Sequence, residues 1–490
     1  MNSRPRNRYT YVAWIAFLWA VANTVYVYLV LDGARAFRVE SAAYILVAVL
    51  LPLSFWHSAP PEHSEVLGST ENRLLIALAV GVWLVTLVPH LRLPFLSDDY
   101  VFLAEYTRFS DVFRVRQFFR PLFGTGFLLL TWFGGGSPIV FHIAAMMLHA
   151  ASAGCVYLLG RRLFHRADLA ALCFVVFLVN PLQLEAVLWV SGLQDLLWTV
   201  LVLSGLVVYT GDATLSARRL LATLVLLALA LCAKETAISS ILLLPTVDLA
   251  LFRMQRGRLL PVAYLSCVLL VAAYLIGRTR FTVTDPDFFV IPGKYFVQKF
   301  IGTPYKFFVQ PWNAAAGNVP AVLSCAATVV ALSIAFWSVV GGTGIVALTG
   351  PLVILISTLP VYAYFYVSPD LRATRYLYFA ATGWALLVTQ MLGTLLRRRK
   401  AVMIVAVVSY IALAWACLQV NAKPWRTAGE IVRDVVSALQ AGKDPKASVA
   451  IWREKYGNGI EVKDGVPTVY EGVYLFVNGY PELHAMAIAK

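Results

Sequence analysis

The chain reads as an all-α polytopic membrane protein with about thirteen transmembrane helices and a small α+β domain at its C-terminal end. Three observations predict this. Of 490 residues, 60% are hydrophobic and only 13% are charged, with a mean hydropathy of +0.74. Apolar runs of roughly bilayer length, about 20 residues, recur along the chain. Residues 421–490 break that pattern and are soluble in character. Inside lipid every backbone polar group must be bonded within the protein, which demands helices here, since the alternating pattern of a membrane β-barrel is absent.

The elements follow in order. Spans are expected at 10–31 and 41–56. The first is too long for a signal-peptide core and has no small-residue cleavage site behind it, so it reads as a retained helix. A third span covers 74–91, and the segment 92–137 follows as a large loop. In that loop a helical stretch over 99–118 runs to Phe119-Arg120-Pro121, where proline breaks or restarts a helix. Residues 123–133 are apolar but too short to span, which fits an interfacial helix, and Gly134-Gly135-Gly136-Ser137-Pro138 marks a break. Spans then fall at 138–160, 169–183, 194–210, 219–233, 236–252 and 259–277. After a long loop at 278–319 come 320–340, 344–364, 376–396 and 401–420. In the tail, 427–441 has helical periodicity. Short β or mixed elements are expected at 448–452 and around 474–477, with Asn478-Gly479 as a turn. So small a core is marginal alone, so the tail is expected to dock on the neighbouring loops. The domain division is 1–72 (two additional N-terminal helices), 73–420 (the membrane core, with loops 92–137 and 278–319) and 421–490 (a small domain).

The net charge of +14 does not point to nucleic acid, because much of it sits in short loops beside spans. Arg4, Arg6 and Arg8 precede the first span. Arg161-Arg162, Arg218-Arg219, Arg253 with Arg256 and Arg258, and Arg397-Arg398-Arg399-Lys400 follow later ones. Thirteen spans with a cytoplasmic N-terminus put every cluster on the cytoplasmic side and the C-terminus outside. The loop 57–73 is not basic and is a minor misfit. Cys155, Cys173, Cys232, Cys267, Cys325 and Cys417 lie in or beside apolar runs, which is neither a disulfide framework nor metal-ligand spacing.

With charge so scarce, the polar residues on the external side stand out. Asp98 and Asp99 come directly after a span, where ionised carboxylates are costly and tend to mark function. A carboxylate can take the proton of an acceptor hydroxyl. The competing reading is a helix N-cap by Ser97, Asp98 or Asp99. Arg120, Lys234, Arg372 and Arg375, with Arg278 and Arg280 weaker, could stabilise a phosphate leaving group. Interfacial anchoring competes for each of them. Lys234-Glu235 joins two apolar runs with almost no loop, so either a cavity or a simple ion pair explains it. Glu185, Gln194 and Asp195, near Trp189 and Trp198, suit a sugar site, and an aromatic belt is the rival. His142 and His149 share one helix face and read as buried polar packing. Neither metal-ligand spacing nor a nucleotide-binding loop is present, and a divalent cation is left open.

Five stretches resemble a known family. They are Ser97-Asp98-Asp99-Tyr100; Phe119-Arg120-Pro121-Leu122 leading to Phe141-His142 and Leu148-His149; Asn180-Pro181-Leu182-Gln183-Leu184-Glu185-Ala186-Val187 through Ser191-Gly192-Leu193-Gln194-Asp195; Ala233-Lys234-Glu235-Thr236-Ala237; and Arg375-Tyr376-Leu377-Tyr378. Their order and spacing across 73–396 resemble the GT-C superfamily of integral-membrane glycosyltransferases, nearest to protein O-mannosyltransferase-like and TMTC-like members. The resemblance implies a GT-C-like core that moves a sugar, with inversion, from a polyprenyl-phosphate donor to a lipid, glycan or protein acceptor at the extracytoplasmic face. It places the base at Asp98 or Asp99 without choosing, and donor-phosphate binding at Lys234, Arg372 and Arg375, with Arg120 added from its position. Tyr100, Glu185, Gln194, Asp195, Glu235, Tyr376 and Tyr378 would line the sugar and acceptor side. Two helices precede the usual core, and the tail lacks tetratricopeptide repeats.

Two alternatives stand beside the enzyme: a lipid-linked sugar transporter or flippase, and a non-catalytic glycan-assembly membrane protein. A transporter needs charges at mid-span, whereas here they gather at one face. A bacterial plasma membrane is the expected location, since a polyprenyl-phosphate route and a tail without Asn-x-Ser/Thr sequons fit it.

Overall fold

The computed structural model describes residues 65–114, 118–212, 214–252, 259–280, 346–358, 370–395, 400–443, 449–457, 459–463 and 466–476, with a few isolated residues between 307 and 368. The expected spans 10–31, 41–56 and 320–340, most of the 278–319 loop and the Asn478-Gly479 turn lie outside the described residues.

Helix α1 (Ser69–Leu87) runs into a 3-10 turn at Val88–His90. Helix α2 (Asp98–Glu105) is shorter than its sequence suggests. The Asp111 carboxylate accepts Thr107 N–H, Thr107 Oγ1 and Arg108 N–H at 3.2, 2.8 and 2.8 Å. Those local bonds close a separate 3-10 turn, Phe109–Phe113, in place of further helix. Helix α3 (Pro121–Gly134) starts on its proline and stops at Gly135, whose φ is +56°.

The long α4 (Pro138–Phe164) packs on α5 (Ala167–Leu178) and on α7 (Leu193–Tyr209). Between α5 and α7 the chain bends by 45° at Asn180-Pro181 and passes through the short α6 (Leu184–Leu188). Asn180 Oδ1 accepts Leu182 N–H and stabilises the bend. Helix α7 packs on α8 (Ala217–Ala233); α9 (Ser240–Phe252) and α10 (Leu260–Arg278) follow. Helix α11 (Val346–Thr358) crosses α12 (Ala380–Leu395) closely, because Gly350 and Gly383 face each other and a Cβ on either would hit the other's carbonyl.

Among the described residues, five helical stretches are long and apolar enough to cross a membrane, or six if the bent pair counts as one span. The molecule is thus a mostly helical membrane protein.

Two tail features differ from expectation. Helix α13 (Lys400–Gln440) runs straight through the predicted boundary at 420, because its buried stripe continues unbroken from Ile411 through Leu418, Trp425 and Ile431 to Val435. Residues 449–456 form helix α14 and not a β element. The apolar residues there alternate over too few positions to separate the two periods, and Ile451 points outward while Trp452 is buried. Strands β1 (Ile460–Lys463), β2 (Val466–Tyr470) and β3 (Val473–Tyr474) make an antiparallel sheet in that order. A tight Glu471-Gly472 turn, both residues at positive φ, joins β2 to β3.

Candidate active site

The two adjacent acids have different surroundings. Asp99 is fully buried. Its Oδ2 accepts Leu96 N–H at 2.9 Å, and its Oδ1 accepts Ser191 N–H at 2.7 Å and Ser191 Oγ at 2.5 Å. Burial pushes its carboxyl up to about 7, against the pull of those donors. Asp99 therefore ties the turn before α2 to the 3-10 turn Val190–Gly192. Gly192 permits that turn, since a Cβ there would meet the Ala186 carbonyl. Ser97, at the start of α2, has φ 49°, a strained value for serine, and its N–H donates to Leu475 O at 2.8 Å. Neither Ser97 nor the acids make the side-chain N-cap bond that was the competing reading; Asp99 bonds backward, to Leu96.

Asp98 is half-buried and, among the described residues, makes no hydrogen bond or ion pair. Burial raises its carboxyl, while the positive charges of Arg375 and Arg120 draw it back down. Successive helical residues diverge by about 100°, so Asp99 turns into the core while Asp98 stays half-buried.

Those cations arrive from separate elements, each on a partner. Arg120, just before α3, donates Nε to Glu235 Oε2 at 2.8 Å, Nη2 to Glu235 Oε1, and Nη1 to Gln194 Oε1 at 2.5 Å. Lys234, at the end of α8, donates to Asp195 Oδ1 at 2.5 Å. Arg375 donates Nη1 to Glu185 Oε1 at 2.7 Å. The Arg375 guanidinium lies 4.7 Å from the centre of the Tyr376 ring, and the Lys234 ammonium 4.6 Å from the same ring. Lys234 and Glu235 do not pair with each other; each crosses to another element. Burial lowers Lys234 to about 8, although Asp195 opposes it. Burial would raise Glu235, but Arg120 overrides this and holds it near about 2. Among the described residues, Asp195 Oδ2 is buried without a hydrogen-bond partner.

Asp98, Arg120, Glu185, Gln194, Asp195, Lys234, Glu235, Arg375 and Tyr376 are thus brought together. Other candidates lie elsewhere. Arg372 turns to Asp370 and to Glu461 of β1. Tyr100 packs in the core against Phe95 and Phe476. Tyr378 is fully buried, with its hydroxyl 2.8 Å from His149 Nδ1. His142 Nε2 bonds Leu93 O at 3.0 Å. Arg278 ends α10, and Arg280 is exposed beyond it. Trp189 and Trp198 are both buried, so neither stands in an outer aromatic belt. Ser191 had no signal in the sequence beyond its neighbours; its partner lies 92 positions away.

The acidic pair does not suit a divalent cation. Both Asp99 oxygens are taken by donors, and the charges of Arg375 and Arg120 already act on Asp98. Among the described residues, no group of three or more His, Cys, Asp or Glu is placed to hold a metal.

No family model matches the chain, and neither does any curated protein. Among solved structures, ArnT from Cupriavidus metallidurans in the apo state is similar at 16% sequence identity and a TM-score of 0.38, over 74% of this chain and 68% of that one.

Proposed function

We propose that this chain is a membrane glycosyltransferase that moves a sugar from a polyprenyl-phosphate donor to an acceptor hydroxyl, with Asp98 as general base. One observation carries the reading. Asp98 alone in the cluster lacks a hydrogen bond or ion pair among the described residues, while the positive charges of Arg375 and Arg120 act on it. The GT-C-like motifs of the sequence support the transfer reading and a base at Asp98 or Asp99, without choosing between them.

In this mechanism the acceptor hydroxyl gives its proton to Asp98 while its oxygen attacks the anomeric carbon. The bond from that carbon to the donor phosphate breaks, and the configuration inverts. The departing lipid phosphate gains charge. Remaining N–H donors on Arg375, Lys234 and Arg120 stabilise it, pre-oriented by Glu185, Asp195 and Glu235. Because these carboxylates already balance the cations, the phosphate is bound by directed donors and not by a large net positive field. Asp99 holds the turn that presents Asp98. The cluster is built from helix ends and turns, which suits an interfacial reaction better than a path through the bilayer and disfavours the transporter alternative. We place the site on the extracytoplasmic face of a bacterial plasma membrane, with the N-terminus inside.

The test is incubation of the purified protein with a panel of polyprenyl-phosphate sugars and candidate acceptors. Lipid-phosphate release is expected from wild type and is lost in Asp98→Asn. Release undiminished in Asp98→Asn removes the base assignment.

A further inference from the structure

Trp189 connects three parts of the molecule. Its indole N–H donates to Leu96 O at 3.0 Å, two residues before Asp98. The ring of Tyr474, on β3, stacks on it with centroids 5.5 Å apart and planes 26° apart. The Arg375 guanidinium lies 4.5 Å from its centre. Through Tyr376 the contacts reach Lys234, so a continuous column runs from Tyr474 through Trp189, Arg375 and Tyr376 to Lys234.

The next residue of the tail makes a second link. Leu475 O accepts the N–H of strained Ser97 at 2.8 Å, and Leu475 N–H is itself held by Thr468 O at 2.8 Å. Phe476 then stacks on Tyr100 at 6.2 Å. Leu371 and Ala373, just before Arg375, also have positive φ, at 63° and 69°. Backbone in such conformations persists only where its surroundings over-determine it. The same three tail residues reach the acid turn and, through Trp189, the Arg375 turn. A domain that merely rested on the bundle would have no need to hydrogen-bond the residue preceding the acids.

We propose that the C-terminal sheet is a working part of the site, with Tyr474 and Leu475 as positioning residues that set Asp98 against Arg375. The proposal rests on the glycosyl-transfer reading for its catalytic meaning, but its geometry is testable without turnover.

The experiment compares full-length wild type with Tyr474→Ala, Tyr474→Leu and Tyr474→Phe in detergent. Hydrogen exchange is followed in peptides covering 94–100 and 186–192. Loss of the ring stack is expected to speed exchange in both peptides about fivefold in the Ala and Leu variants, with Phe like wild type. If Ala fails to fold, Leu, which keeps apolar bulk without the ring, decides. In turnover, kcat is expected to fall by about tenfold or more with donor KM changed by less than about threefold, and Phe restores it. Unchanged exchange in the Leu variant overturns the proposal, as does an equal loss in Phe. If exchange responds as expected while wild type releases no lipid phosphate from any donor, the positional coupling stands and the transfer reading fails.

Discussion

Glu185 holds Arg375 twice: Oε1 accepts from the guanidinium at 2.7 Å, and Oε2 accepts from the Arg375 backbone N–H at 2.8 Å. The same carboxylate takes Thr374 Oγ1 at 3.1 Å and Ala373 N–H at 3.3 Å. One buried acid therefore shapes the turn and aims the cation. Removing one partner of such a pair leaves a buried charge uncompensated, at about 3–5 kcal/mol. Glu185→Gln is expected to lower the thermal midpoint of the purified protein and raise donor KM. A midpoint and KM both equal to wild type would show that Arg375 is placed by other means.

Asp98 and Asp99 are expected to fail in different ways. Asp98→Asn removes the proposed base, which makes no hydrogen bond or ion pair among the described residues, so the fold is expected to survive while kcat falls by about 10²–10⁴. Asp99→Asn cannot accept from all three of its donors and leaves one buried N–H or hydroxyl unpaired, at about 1–3 kcal/mol. Its loss is expected in thermal stability, with turnover falling as the acid turn loosens. Unfolding midpoints and single-turnover rates of both variants separate the roles, and the reverse pattern would exchange them.

The pH profile has two limbs of known sign. The proposed base must be charged, so kcat is expected to fall as pH drops through the Asp98 value, which burial raises from its ordinary value against the pull of Arg375 and Arg120. Lys234, lowered to about 8 by burial, loses its charge as pH rises through that value, so donor affinity weakens on the alkaline side. Lys234→Arg keeps its charge throughout and is expected to abolish the alkaline limb. Kinetics from pH 5 to 10 check it; an alkaline limb unaltered in Lys234→Arg assigns that limb to another group.

Much of this site was legible because charge is scarce. In a chain this apolar, Arg120, Lys234, Glu235, Glu185 and Arg375 are conspicuous wherever they fall, and helix ends gather them. What sequence could not reveal was pairing. Lys234 next to Glu235 looks like a local ion pair, yet the backbone turn between α8 and the following 3-10 turn sends the two side chains to Asp195 and Arg120. What separates the surroundings of Asp99 from those of Asp98 is Ser191, a residue unremarkable until the bend at Pro181 brings it to the Asp99 carboxylate. Trp189 looked like a belt residue because depth in a fold is not encoded by residue type. The run-on of α13 was hidden because loss of apolar character at 421 ends a membrane span without ending a helix.

Arg120 and Arg372 have similar partner sets and opposite expected weights. Each joins a carboxylate through two nitrogens. The Arg120 side chain is 11% exposed, whereas that of Arg372 is 28% exposed and its partner Glu461 is 54% exposed. An ion pair so open to solvent contributes about 0–1 kcal/mol, so Arg372→Ala is expected to leave donor KM within about twofold of wild type. Arg120→Ala strips Glu235 and Gln194 of the Arg120 donor and takes one of three cations from the proposed phosphate site. Donor KM is expected to rise by about tenfold or more, in line with about 1.5–3 kcal/mol for a charged hydrogen bond. Arg120→Lys recovers little, because an ammonium cannot reach Glu235 and Gln194 with one planar fork. Donor KM for the three variants decides the matter: a large effect at Arg372 and none at Arg120 would move the phosphate site to the tail side of the 368–377 loop and dissolve the cluster described above.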